Sequence, residues 1–257
     1  AKEKINMYLK SVIKYTLYES KKSLFIFYCV IIAVMLGFFS IAAGVEKGTV
    51  NFSANETIGM TFIFIASLVS FKESFRMLIQ NGVSRKTTFM GQVIWILCMS
   101  GIMSFVDRIL GLFCALGNLI NSRFIAGGGL LENLYPSRYV YDPGNILTHL
   151  AGIAFSICLY IAFAALGYFI VLLYYRMSTP LKVAVSISVP CFLFIGLPII
   201  DNLTNGKISY FFDRVGQLIF GVNGSNGPIS AMLFSLVCAA LLCGLGWLLI
   251  RKAPIKN

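Results

Sequence analysis

Six stretches of the chain carry no Asp, Glu, Lys or Arg over lengths that invite a bilayer: Leu24–Gly44, Thr57–Phe71, Phe89–Val106, Leu150–Tyr175, Val183–Ile200 and Ile229–Ile250. Crossing a hydrocarbon core takes roughly 20 helical residues, with a range of about 17–25. Four of the runs fit directly, and the 26 residues of Leu150–Tyr175 can span with some tilt. Thr57–Phe71 is shorter, about 22 Å of helix at about 1.5 Å per residue. It completes a crossing if the helix continues past Lys72, whose long stem can snorkel. Composition agrees, since 12% charged residues is about half of what a soluble domain carries. The first run is too long for a cleaved signal peptide and has no A-x-A-like site after it. Pro190 and Pro198 predict a kink or break near the outer end of the fifth run.

The expected fold class is therefore all-α integral membrane, with six transmembrane helices in a single transmembrane domain over 1–257. Its parts are an N-terminal segment 1–23, spans one to three in 24–106, an external loop 107–149, and spans four to six in 150–250. Seven cysteines lie in apolar stretches without metal-site spacing. They read as small buried hydrophobes rather than a disulfide framework.

The net charge of +11 is informative once it is sorted by side. With a cytosolic N-terminus, only Lys47, Arg108, Arg123, Arg138, Lys207 and Arg214 fall outside, so 15 of the 21 Lys and Arg lie inside. Of the 10 acids, Glu3, Glu19 and Glu73 lie inside, which leaves +12 on the cytosolic side and −1 outside. That asymmetry follows the positive-inside rule and predicts a multi-pass plasma-membrane protein with both termini cytosolic. The charge records orientation, and no nucleic acid partner is implied.

Two cytosolic segments have helical patterning of their own. In 4–19, Ile5, Leu9, Val12, Ile13 and Leu17 share one helical face among lysines, predicting an amphipathic interfacial helix. It is either a plain anchor or an elbow that docks a cytosolic partner. In 71–88, Phe71, Phe75, Leu78 and Ile79 form an apolar face over two turns. Gly82 suits the left-handed residue closing that helix, and Ser84 can cap the next, with Thr87 in place of the Glu or Gln of a full capping box. This is either an ordinary turn between spans or a short stiff helix able to transmit force.

The run Arg76-Met77-Leu78-Ile79-Gln80-Asn81-Gly82-Val83-Ser84-Arg85-Lys86 resembles the cytosolic segment after the second span of ABC-2 type exporter permeases. Six spans, a basic amphipathic N-terminus and two cytosolic termini extend the likeness over nearly the whole chain. The resemblance implies that 71–82 is a coupling helix resting on a cytosolic ATPase subunit. The residues concerned are Phe71, Glu73, Phe75, Arg76, Leu78, Ile79, Gly82 and Arg85. It also implies outer re-entrant helices within 201–228, and ATP and Mg bound on the partner subunit. The most similar member type is a small peptide exporter of the kind that expels phenol-soluble modulins.

The chain itself has no G-x-x-x-x-G-K-[ST] phosphate loop and no H-E-x-x-H zinc motif. No cofactor site, metal site or catalytic group is expected on it. Its one histidine, His149, reads as a polar anchor at the outer end of the fourth span. The core runs lack the ionisable groups that proton-coupled transport requires, which argues for a motor on another chain. Asp107 and Arg108 come nearest, at the outer end of the third span. Adjacent helical residues do not face each other, so each needs a partner elsewhere, in a structural interface or a possible outer gate.

The expected function is a membrane-spanning permease subunit of an ATP-driven exporter. Two copies, or two related chains, would frame a path through the lipid bilayer for amphipathic, hydrophobic cargo such as peptides. The alternatives are a non-transporting scaffold or sensor, and an ATP-independent channel.

Overall fold

The computed structural model describes residues 2–44, 50–51, 55–120, 124–125, 128–139, 142, 144–221 and 227–251. The helices are α1 (Lys2–Gly44), α2 (Asn55–Gln80), α3 (Arg85–Ile120), α4 (Leu130–Leu134), α5 (Ile146–Arg176), α6 (Thr179–Cys191), α7 (Leu197–Leu203), α8 (Lys207–Phe220) and α9 (Gly227–Arg251). A π-helical turn, Phe192–Gly196, joins α6 to α7. Two-residue strands β1 (Val50–Asn51) and β2 (Phe124–Ile125) pair in parallel. Among the described residues, five helical segments are long and apolar enough to cross a membrane: Leu9–Gly44, Arg85–Gly117, Ile146–Arg176, Thr179–Leu203 and Gly227–Arg251. The chain is thus an all-α, multi-pass membrane protein by length and composition, and α2 is not among those five.

Two expected helices merge into the spans beside them. The N-terminal amphipathic segment is the first part of α1, one helix of 43 residues, because Lys21 and Lys22 are good helix formers and no Gly or Pro interrupts the chain there. Residues 71–80 likewise continue α2 without a break. The third helix also runs past its expected end at Val106 and stops only at Ile120, so the first third of the expected external loop is helix. Near Pro190 and Pro198 the helix does not break. The wider π turn just before Pro198 accommodates the missing N–H and the ring.

The core is built from α2, α3, α5 and α9. Close approach of α2 and α5 depends on small residues: a Cβ on Gly167 would sit 2.6 Å from the Phe64 carbonyl oxygen, and the Ser67 hydroxyl donates to Ala164 O at 2.7 Å. Small residues at such crossings let backbones meet where no water drives association. Phe155, Tyr160, Tyr168, Trp95 and Met103 fill the centre.

The basic side chains gather at one end. There Arg85 Nη1 donates to Arg251 O at 2.8 Å, and Val12, Leu78 and Val83 form a small apolar cluster. The opposite end is closed by α4 and the β1–β2 pair. Tyr135, just after α4, donates its hydroxyl proton to Phe220 O at the end of α8. Burial pushes the Tyr135 phenol up, while Arg138 pulls it back, so it stays a neutral donor. Asp201 accepts from Ile208 N at 3.0 Å and Ser209 N at 2.9 Å, capping α8 after the left-handed Asn205 and Gly206.

Candidate functional site

Asp107 and Arg108 lie well inside α3, 13 and 12 residues before its end at Ile120, and are 2% and 5% exposed. As expected of neighbours on a helix, they turn to different partners. Asp107 Oδ1 accepts from the Tyr28 hydroxyl of α1 at 3.0 Å, and Oδ2 accepts from the Tyr160 hydroxyl of α5. Arg108 Nη1 pairs with Glu132 Oε1 of α4 at 2.8 Å. Beside them, the Glu56 carboxylate at the start of α2 accepts the Leu130 N–H, the first of α4, and Tyr160 Oη lies 3.2 Å from Glu56 O. Helices α1 to α5 thus meet in one buried polar cluster under the cap.

Three glycines make room for it. A Cβ on Gly152 would fall 1.2 Å from Arg108 Nη2, one on Gly129 2.5 Å from Glu56 Oε1, and one on Gly59 2.6 Å from Tyr160 Oη. The guanidinium therefore lies flush on the α5 backbone, where no larger residue fits. A charge taken from water is tolerated only when paired and hydrogen-bonded. The cluster is satisfied only in part, since Arg108 Nε and Nη2 and Glu132 Oε2 have no partner among the described residues. A network satisfied only in part is costly, because each unpaired buried polar atom has lost its water without a replacement.

The three carboxylates are each engaged separately, Glu56 on a backbone N–H, Asp107 on two phenols and Glu132 on the guanidinium. Among the described residues no group of three His, Cys, Asp or Glu is arranged to hold a metal ion. What the arrangement does is hold the cap: Glu56 and Arg108 grip α4 at its first residue, Leu130, and at its middle one, Glu132.

The other expected site residues lie at the opposite end and divide into two sets. Phe71 and Phe75 are buried against α5, with ring centroids 5.6 Å apart for Phe71–Tyr168 and for Phe75–Tyr175. Leu78 packs on Val12 and Val83, and Ile79 on the main core. Phe71, Phe75 and Leu78 are thus covered by the chain itself, while Ile79 is half-buried. Arg76 and Gly82 are exposed, Arg85 is held on Arg251 O, and the side chain of Glu73 lies outside the described residues.

The turn itself forms as the residues predict. Gly82 has φ +75°, its N–H donates to Ile79 O at 3.0 Å, and Val83 N donates to Leu78 O at 3.0 Å. Those two bonds, with Val83 packed on Leu78, are a Schellman closure. Ser84 Oγ then accepts from Thr87 N at 3.2 Å and caps α3.

Tyr28, Glu56, Glu132 and Tyr160 escaped the sequence reading. Both acids counted only as loop charges and both tyrosines only as apolar-run residues. Tyrosines deep in charge-free runs were the available signal, because a buried hydroxyl needs a partner. Comparison with protein-family models, curated proteins and solved structures finds no match.

Proposed function

We propose that the chain is the membrane-spanning permease subunit of an ATP-driven exporter, with six spans (α2 counted among them) and its basic end in the cytosol. The observation that carries this reading is the α2–α3 hairpin. At one end it makes the stiff, doubly capped turn at 81–84. At the other its two arms supply Glu56, Asp107 and Arg108 to the cluster that grips the cap. Glu56 and Gln80 lie 24 positions apart on unbroken helix, about 36 Å. A push on the turn therefore reaches the latch through a rigid rod.

In this reading the cytosolic ATPase carries ATP and Mg and bears on exposed Arg76, Gln80, Asn81 and Gly82, with Glu73 beside them. Segment 71–80 couples as the end of a span rather than as a separate helix. Asp107 and Arg108, with Glu56 and Glu132, form the outer gate. A second copy or a related chain completes the path, α7 and α8 are the outer re-entrant elements, and amphipathic peptides are the cargo.

The test is co-purification with an ATPase subunit, followed by ATP-dependent cargo movement in vesicles. Charge reversal at Glu73 and Arg76 should abolish ATPase association and stimulated hydrolysis. Transport by the chain alone without ATP overturns the reading. The ionisable cluster supports one second reading, a carrier driven by an ion gradient, because such groups inside a bundle commonly mark ion pathways. Cargo movement driven by a pH gradient, without nucleotide, would select it.

A further inference from the structure

A second site lies near the basic end, in a side-opening cavity of about 230 Å³ between α1, α2 and α3. Its back wall is Trp95 and Met99, at 1% and 2% exposed, and its rim includes Val69 at 70% exposed. The cavity thus opens sideways from the bundle toward lipid, at the level where the charge-free part of α1 begins.

The lining is polarised. At one end are Glu19, Ser20 and Ser70; toward the other are Phe62 and Met99. Ser20 is fixed in place, its hydroxyl accepting from Trp95 Nε1 at 2.7 Å and donating to Thr16 O at 2.9 Å. Ser70 Oγ is buried with no partner among the described residues. Glu19 Oε2 accepts from the Ser74 hydroxyl at 3.0 Å, and no cation among the described residues pairs with its carboxylate. Nearby Lys21 instead lies over the Tyr18 ring, 5.7 Å from its centroid.

A carboxylate at the mouth repels anions and attracts a cation. A single carboxylate with hydroxyls is a poor metal set but a good one for an ammonium, which offers three donors. Ser70 on α2 is 8 residues from Phe62, so the apolar end lies about 12 Å farther into the bilayer. The volume holds about eight water-sized groups, enough for a head group and the first methylenes of a chain. We propose that this cavity binds one amphiphile with an ammonium head group, the head on Glu19 and Ser20 and the alkyl chain against Phe62, Val69 and Met99. The shared chemistry admits an aminophospholipid of the bilayer or a free alkylamine-like amphiphile. It goes beyond the permease reading and requires no ATPase.

The test uses the full chain in phosphatidylcholine nanodiscs, with Trp247→Phe so that Trp95 is the sole tryptophan and is excited selectively. Dodecylamine carrying a spin label near its head should quench Trp95 at about tenfold lower concentration than the matching labelled dodecanol, the gain expected of a charge-assisted contact. Glu19→Gln should bring the two probes level while the melting temperature stays unchanged. Ala66→Phe, which fills the cavity, should remove quenching by both. Equal quenching by amine and alcohol in the wild type, or a preference that survives Glu19→Gln, overturns the proposal. Adding phosphatidylethanolamine to the nanodisc assigns the source: competition identifies the lipid, and its absence identifies the free amphiphile. Because no nucleotide or ATPase is present, failure here is separate from failure of the permease reading.

Discussion

The four-helix core and the α6–α7 stretch of the α6–α8 arm are built from comparably apolar sequence, yet they solve opposite problems. In the core, Phe155, Tyr160 and Ala164 are fully buried, and polar side chains bond from helix to helix. In the arm no residue of α6, the π turn, α7 or α8 is buried, and Phe194 is 80% exposed. Hydropathy cannot tell these regions apart, because lipid accepts a leucine as readily as another helix does. What separates them is small residues and tyrosines. Buried Gly152, Ala164, Ala165 and Gly167 let neighbouring helices close on α5 from more than one side, whereas α6 presents Val183, Val185, Ile187 and Val189, branched side chains that keep a neighbour at a distance.

The sharpest way to break that contrast is to remove one charge from each region. Arg108→Leu leaves Glu132 buried and unpaired, which should cost about 3–5 kcal/mol; Arg214→Leu, on the exposed face of α8, should stay within about 0.5 kcal/mol. Unfolding in detergent measures both. The double variant Arg108→Leu with Glu132→Leu should recover most of the loss, since the expense lies in the orphaned charge. If Arg108→Leu proves as mild as Arg214→Leu, the cluster does not hold the cap.

Glycines give the next comparison. Gly167→Leu drives a Cβ toward the Phe64 carbonyl and should cost about 1–3 kcal/mol or more. Gly216→Leu in α8 meets open space and should be neutral or slightly stabilising, since Leu favours a helix by several tenths of a kcal/mol over Gly. A destabilised Gly216→Leu would show that the arm is covered by something in the purified sample, and its oligomeric state would identify a second copy. Smaller again is Tyr160→Phe, which removes one of the two phenols on Asp107 and should cost about 1–3 kcal/mol, toward the low end because Tyr28 remains. The same variant of exposed Tyr210, whose hydroxyl only accepts from Arg214 Nε, should be silent.

Much of the fold was legible because charge-free length and turn chemistry are local. The runs marked the long helices, and Gly82 and Ser84 marked the turn. The merging of 4–19 with the first span was less legible, since an amphipathic segment and an apolar one are both helical and nothing between them stops a helix. The candidate site was half legible. Asp107 and Arg108 stood out as the charges nearest a span, and the adjacency rule correctly demanded separate partners. Glu56 and Glu132 could not be joined to them, being 51 and 24 residues away along the chain, in segments whose folding back is decided by packing. The apolar face of 71–79 was seen, but a stripe at helical spacing does not say what covers it; for Phe71 and Phe75 the cover is α5.

Among the variants expected to destabilise, the smallest effect belongs to the turn. Ser84→Ala removes the acceptor for Thr87 N and should cost about 1 kcal/mol, read as a lowered melting temperature. Gly82→Ala should cost a similar amount, because its φ of +75° disfavours any residue with a Cβ. Both residues sit at the opposite end of α2 and α3 from the buried cluster. If the hairpin is a rigid rod, Ser84→Ala, which lies outside the proposed ATPase contact, should leave ATPase association intact and lower only the ATP-stimulated transport. Equal loss of association would make the turn a docking surface and nothing more.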